Sequence, residues 1–345
     1  ALSAGASVMG SGAGLPQRLA ALLLALLAAP ACAAIPGPPP ADAGVFVEFP
    51  LEPVGDLDHP LLAELSGLVA ASSTHEGFWA HNDSGAPPRL FALGSDLEVR
   101  VPPWLADRYA TGATLLRARW PGTEITGATL VDWEDIARIG DRLYLADLGN
   151  NGNARRDLGF WEIDEPVPAG VEATRPRRFL PVHYPEQRAF PGERWEWDCE
   201  AVFADGGVLH LITKHRRPGA VNSIGPGARL YRFDPAAASA ASTPLEFVSR
   251  HDGIELVTAA DLSPDGGVLA VLTYAAVWLF PRPTGAGDWF AGRPVIRPLP
   301  LIRTRQAEAL AWRDDGRLLI GNEGGGLFEL RVDRARLQEA FRAPD

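Results

Sequence analysis

The sequence predicts an all-β chain folded as a single β-propeller of five blades, each of four antiparallel strands, with six blades as the alternative. Three observations predict it. The 36 Gly and 31 Pro among 345 residues point to a fold rich in turns. A short acidic pattern recurs five times along the chain. Each copy is followed by two further strand-like runs in the same order, and such regular repetition is the mark of propeller blades.

The first residues read as an address, not as fold. Leu19 to Ala29 (LAALLLALLAA) is an apolar run behind Arg18, and Ala31-Cys32-Ala33 offers a small-x-small cleavage pattern. Residues 1–33 are therefore expected to be a signal peptide whose core is too short to span a bilayer. Residues 34–44, with Pro36-Gly-Pro-Pro-Pro40, read as a stiff linker, and 45–345 as the propeller. The protein is expected in the periplasm or secreted, with no transmembrane span in the mature chain. A lipoprotein anchored through Cys32 is the alternative, ranked second because Leu is missing three residues before the Cys. The other cysteine, Cys199, lies within the repeat, where burial as a small hydrophobe is expected.

A hydrophobic fraction of 46% suffices for a large core, and the net charge of −11 repels phosphate backbones. Nucleic acid is excluded as a partner on that ground. Cations or neutral ligands suit the surface better.

The repeat begins at Leu65-Ser-Gly-Leu-Val69, Trp133-Glu-Asp-Ile-Ala137, Cys199-Glu-Ala-Val-Phe203, Ala259-Ala-Asp-Leu-Ser263 and Ala307-Glu-Ala-Leu-Ala311. The aligned positions 66, 134, 200, 260 and 308 are spaced by 68, 66, 60 and 48 residues. A second strand follows each time, from Gly77–His81 to Arg317–Gly321, and then a third, from Arg89–Leu93 to Gly326–Leu330. Turns such as Ser263-Pro-Asp-Gly-Gly267 carry tight-hairpin chemistry. Fourth strands are expected at Thr114–Trp120, Arg178–Tyr184, Leu245–Arg250 and Val295–Ile302. The last unit lacks one, because only a helix-like tail, Arg334 to Arg342, remains. The orphan Val45-Phe-Val-Glu-Phe49 is expected to pair with it, closing the ring and removing an exposed edge.

The start of each first strand and the end of each second lie side by side at one end of the axis. That geometry gathers Glu134, Asp135, Glu200, Asp261 and Glu308 with Asn82, Asp83, Asp147, Asn150, Lys214, Asn322 and Glu323. Carboxylates converging in a partly desolvated space repel one another, and a divalent cation relieves that cost. Oxygen ligands select Ca2+, with Mg2+ ranked second. The candidate metal ligands are Glu134, Glu200, Glu308, Asp261 and Ser66. Capping by backbone amides or basic side chains is the metal-free alternative. Trp133, Trp195 and Trp197 are assigned to blade packing, and the basic groups Arg155-Arg156, Arg175–Arg178 and His215–Arg217 to loops. No familiar catalytic motif is present: there is no His-Glu-x-x-His, Gly-x-Ser-x-Gly, phosphate-cradling Gly-Lys-Ser/Thr or Cys-x-x-Cys.

Glu64-Leu-Ser-Gly-Leu68, Asp132-Trp-Glu-Asp-Ile-Ala137, Asp198-Cys-Glu-Ala-Val202, Gln306-Ala-Glu-Ala-Leu-Ala311 and Gly321-Asn-Glu-Gly324 resemble the repeats of the SdiA-regulated family. More distantly they are similar to phytase-like and esterase-like propellers. The resemblance covers roughly residues 45–332 and implies an exported five-bladed propeller with a calcium site at its channel and no established reaction. It implies that Glu134, Glu200 and Glu308 are the axial acids; the pattern departs at Ala260 and Ser66, where a carbonyl or water would stand in. The function expected is a calcium-binding scaffold that takes a small-molecule or protein ligand at the channel face. A calcium-dependent phosphoester or ester hydrolase is the alternative.

Overall fold

Alternating apolar runs separated by Gly-, Pro- and Asp-rich turns fold as short strands with buried faces, and here they pack as five sheets around one axis. The computed structural model describes residues 37–110, 117–285, 287–313 and 316–343. The signal-peptide and Cys32 expectations lie outside the described residues.

From axis to rim, blade 1 comprises Leu65–Ala70, Phe78–Asn82, Arg89–Leu93 and Thr123–Ile125. Blade 2 comprises Trp133–Ile139, Arg142–Asp147, Gly159–Asp164 and Pro176–His183. Blade 3 has Trp195–Asp205, Val208–Arg217, Ala228–Phe233 and Glu246–His251, with Ala220–Ile224 added to its second strand. Blade 4 has Val257–Leu262, Val268–Thr273, Ala276–Pro281 and Val295–Pro298. Blade 5 has Ala307–Trp312, Arg317–Asn322 and Gly326–Arg331. Five blades are therefore formed, not six.

The ring closes with a strand from the N-terminal side, but not the expected one. Leu51–Asp56 pairs antiparallel with Gly326–Arg331, while Val45–Phe46 lies parallel to the outer strand of blade 4. The closing segment contains Pro53 and Gly55 and is largely exposed, so it carries no strand-like pattern; a bulge between those residues accommodates it. The fourth strand of blade 1 is likewise Thr123–Ile125, downstream of the expected Thr114–Trp120. Two of the basic groups assigned to loops also belong to strands. Arg177 and Arg178 fall in Pro176–His183, and His215–Arg217 end the long second strand of blade 3.

The core is divided among the blade interfaces. Phe160, Leu180, Cys199 and Tyr231 fill the space between blades 2 and 3, and Trp79, Trp133 and Leu145 fill that between blades 1 and 2. Cys199 is fully buried, as the sequence indicates. The C-terminal helix Arg334–Phe341 starts at Asp333, whose carboxylate accepts from the amides of Ala335 and Arg336, and it buries Leu337 against blades 4 and 5.

One backbone feature positions the site. Every innermost strand is bulged near its start: Ser66, Glu134, Glu200, Thr258 and Glu308 fall at the shift in register against the second strand. A bulge turns a side chain out of the strict alternation. The five bulges define the true alignment of the repeat, and in blade 4 it selects Thr258, two residues before the expected Ala260.

Candidate functional site

The five bulge residues do not behave alike. Two are hydroxyls that bind the neighbouring blade: Ser66 donates to the Glu134 carbonyl, and Thr258 donates to the Ala307 carbonyl at 2.7 Å. The other three are glutamates, Glu134 and Glu200 buried and Glu308 half-buried, each in different company.

Glu200 has its own cations. The Lys214 ammonium lies 2.5 Å from its Oε1, and an Arg216 Nη2 lies 3.3 Å from the same atom. Arg216 also holds Asp198 at 2.6 Å. The second strand of blade 3 supplies both bases, with Lys214 opposite Asp198 in the sheet. Burial disfavours the Lys214 charge most, but the carboxylates of Glu200, Asp198 and Glu308 together outweigh it, and its pKa is raised. Burial pushes Glu200 itself up to about 8, and the direct contacts with Lys214 and Arg216 oppose that rise.

Glu308 accepts a hydrogen bond from the Tyr274 hydroxyl, and the Gln306 amide donates to that hydroxyl at 3.4 Å. Burial raises its pKa to about 7, against the pull of Lys214 and the hydroxyl.

Among the described residues, Glu134 makes no ion pair and accepts no hydrogen bond at its carboxylate; Lys214 acts on its charge only from a distance. Its carboxylate shares two clusters, in each of which one oxygen per residue lies within 4.8 Å of the others. One joins it to Asp83 and Asp132, the other to Asp198 and Glu200. Burial, then the charges of Glu200, Asp83 and Asp132, raise Glu134 well above the carboxylate range. Burial and the charges of Asp83 and Asp198 push Asp132 up to about 6. Asp83 is raised as well, chiefly by burial. Gly149 lies against this cluster, and a Cβ there would sit 2.0 Å from Glu134 Oε1 and 2.5 Å from Asp132 Oδ2. Only glycine leaves those oxygens in place. Asn151 donates to Asp132 at 3.3 Å, and Arg155 spans Asp147 Oδ1 and the Gly149 carbonyl at 2.9 and 2.8 Å.

Among the residues singled out from sequence, Glu134 and Glu200 thus meet, while Glu308 and Ser66 contribute to the same face without entering either carboxylate cluster. Asp261 lies further along its strand, past the bulge. Its oxygens accept from the amides of Leu262 at 2.9 Å and Trp312 at 2.7 Å, which makes it a tie between blades 4 and 5. Asp135 is a similar tie, accepting from Val202 at 2.9 Å and Ala260 at 3.3 Å. Sequence reasoning placed Asp83 near the axis, carried Asp132 and Asp198 only within the repeat motifs, and put Arg216 in a loop. What marks Arg216 is strand alternation, which sets Lys214 and Arg216 on one face of an unusually long strand.

No family model matches the chain, and no curated protein matches it. Solved structures do. A luciferin-regenerating enzyme aligns with TM-score 0.43 and 10% identity, covering 81% of this chain and 76% of that one. The gluconolactonase XC5397 from Xanthomonas campestris aligns with TM-score 0.37 and 13% identity over 88% of this chain and 90% of that one. A streptogramin B lyase gives TM-score 0.38 and 10% identity over 83% and 98%. Among the described residues, no helix is long and apolar enough to cross a membrane.

Proposed function

We propose that this chain is an exported propeller that binds a divalent cation, Ca2+ before Mg2+, at the axial rim and presents it to a small-molecule or protein ligand. The single observation that carries the reading is Glu134, a buried carboxylate with no donor and two sets of acidic neighbours. A cluster so placed either takes up protons or takes up a cation. Asp83, Asp132 and Glu134 would hold the ion, because the Glu200 side already has Lys214 and Arg216. Oxygen donors from two segments, Asp83 after the second strand of blade 1 and Asp132 with Glu134 at the start of the first strand of blade 2, suit the larger, less demanding Ca2+. The expected leader and the resemblance of the repeat motifs to those of SdiA-regulated propellers support the export reading.

A hydrolase acting on phosphoesters or esters is the second reading. A cation beside Glu134 and the bases beside Glu200 would flank an anionic group from two sides. Binding ranks ahead of hydrolysis because the two acids best placed to activate water are already engaged. Glu200 is held by Lys214, and Asp147 by Arg155.

The test is calorimetric titration of Ca2+ into chelator-treated protein. One saturable site is expected, absent in Glu134→Gln; a variant that binds like the wild type would sink the assignment. Nucleotides, phytate and aryl esters, assayed with Ca2+ and with chelator, separate the two readings.

A further inference from the structure

A cavity opens beside the rim, walled by the blade 2 hairpin loop and the crossing loop into blade 3. Its volume is about 370 Å³, within the range of sites that enclose a small organic molecule. Leu158, Val182 and the ring of Phe190 give it an apolar interior, and Arg155, Arg156 and Arg188 line it with guanidinium groups. Arg155 is spoken for by Asp147 and Asp157. Arg156 and Arg188 have no acid partner among the described residues, and the Arg156 guanidinium lies over the Phe190 ring at 4.1 Å. In a chain of net charge −11, two such cations at one cavity need explaining.

The walls are fixed before any ligand arrives. Gln187, buried beneath the crossing loop, donates to the Asn153 carbonyl at 2.8 Å and joins the two loops. Asn153 in turn accepts from the Trp197 amide at 2.9 Å, anchoring both to blade 3. A pre-formed cavity loses little entropy on binding. Stacking on Phe190 keeps the Arg156 fork oriented, and a planar guanidinium is the group best matched to a carboxylate or phosphate.

We propose that this cavity is a binding site for an amphipathic organic anion, a carboxylate or phosphate carried on a compact aromatic or alkyl body. Arg156 and Arg188 take the anionic head, and Leu158, Val182 and Phe190 take the body. The site is separate from the Glu134 cluster and requires no cation.

The experiment is calorimetry with phenyl phosphate and with 4-phenylbutyrate, in chelator and in millimolar Ca2+. Both anions should bind equally well in either buffer, and the stronger of the two names the head group. Neutral benzyl alcohol should give no saturable heat. The Arg156→Gln/Arg188→Gln variant, changed only at exposed side chains, should bind about tenfold more weakly. Arg177→Gln/Arg250→Gln, which removes the same charge from side chains that do not line the cavity, should bind as the wild type does. Equal binding of benzyl alcohol, equal losses in the two double variants, or binding that disappears in chelator would each overturn the site. The last result would move the anion to the axial cluster, whereas failure of Ca2+ binding alone leaves this cavity untouched.

Discussion

Glu134 and Glu200 occupy the same bulge position in adjacent blades, are buried to the same degree and lie in one cluster, yet their surroundings are opposite. Around Glu200 the chain supplies two bases on the neighbouring strand, so that half of the rim is self-neutralised. Around Glu134 it supplies Asp83, Asp132 and a glycine that keeps the space open. The difference teaches that burial of an acid is not itself a site. What matters is whether the protein answers the charge from its own side chains or leaves it for something else.

The comparison breaks most visibly at Lys214. Replacing it by Met leaves Glu200 and Asp198 with only Arg216, and removing one partner of a buried pair costs about 3–5 kcal/mol. Urea unfolding of the chelated protein should register that loss, and added Ca2+ should recover part of it. Acidity gives the next effect. Asp132 and Glu308 have folded-state pKa values of about 6 and about 7, above those of an unfolded chain, and Glu134 is raised further. The native state therefore binds protons more readily than the unfolded one over this interval, and stability falls as pH rises through it. Chelated protein should be about 1–3 kcal/mol more stable near pH 5 than near pH 8, and Ca2+ should flatten the slope by holding the carboxylates ionised. A chelated protein most stable near pH 8 would contradict the raised values.

The two glutamates should then answer amide substitution with opposite signs. Glu200→Gln strands Lys214 and should lower stability by about 2 kcal/mol. Glu134→Gln removes a repelled charge and should raise the stability of the chelated protein by about 1 kcal/mol while abolishing the gain from Ca2+. Same-sign shifts in a thermal unfolding series would erase the distinction. The smallest change is Gly149→Ala, whose methyl displaces the Glu134 and Asp132 oxygens; about tenfold weaker Ca2+ binding is expected, with less than about 1 kcal/mol lost in chelator. Unaltered Ca2+ affinity would show that those oxygens are not ligands.

How much of this was legible in the sequence follows from what each signal measures. Blade number came from repetition, and the strands fell where apolar runs and tight turns put them. The closing strand escaped because Leu51–Asp56 contains Pro53 and Gly55 and buries little; its pairing is a property of the ring, not of the segment. Glu134 and Glu200 were found because a carboxylate at a recurrent position is conspicuous. Thr258 was passed over because a threonine there looks like any strand residue, and Asp261, three positions on, drew the alignment with it. Lys214 was gathered with the axial residues, but Arg216 could be read only as a basic residue of a loop. That they neutralise Glu200 depends on the length of the second strand of blade 3, which no local pattern fixes.

The carboxylate of Asp135 reaches from blade 2 to amides of blades 3 and 4, so it lies across the middle of the ring and not along its wall. It works as a crossbar. With that carboxylate fully buried, three blades are tied to one another at a single point on the axis, so a substitution there is felt in blades 2, 3 and 4 at once.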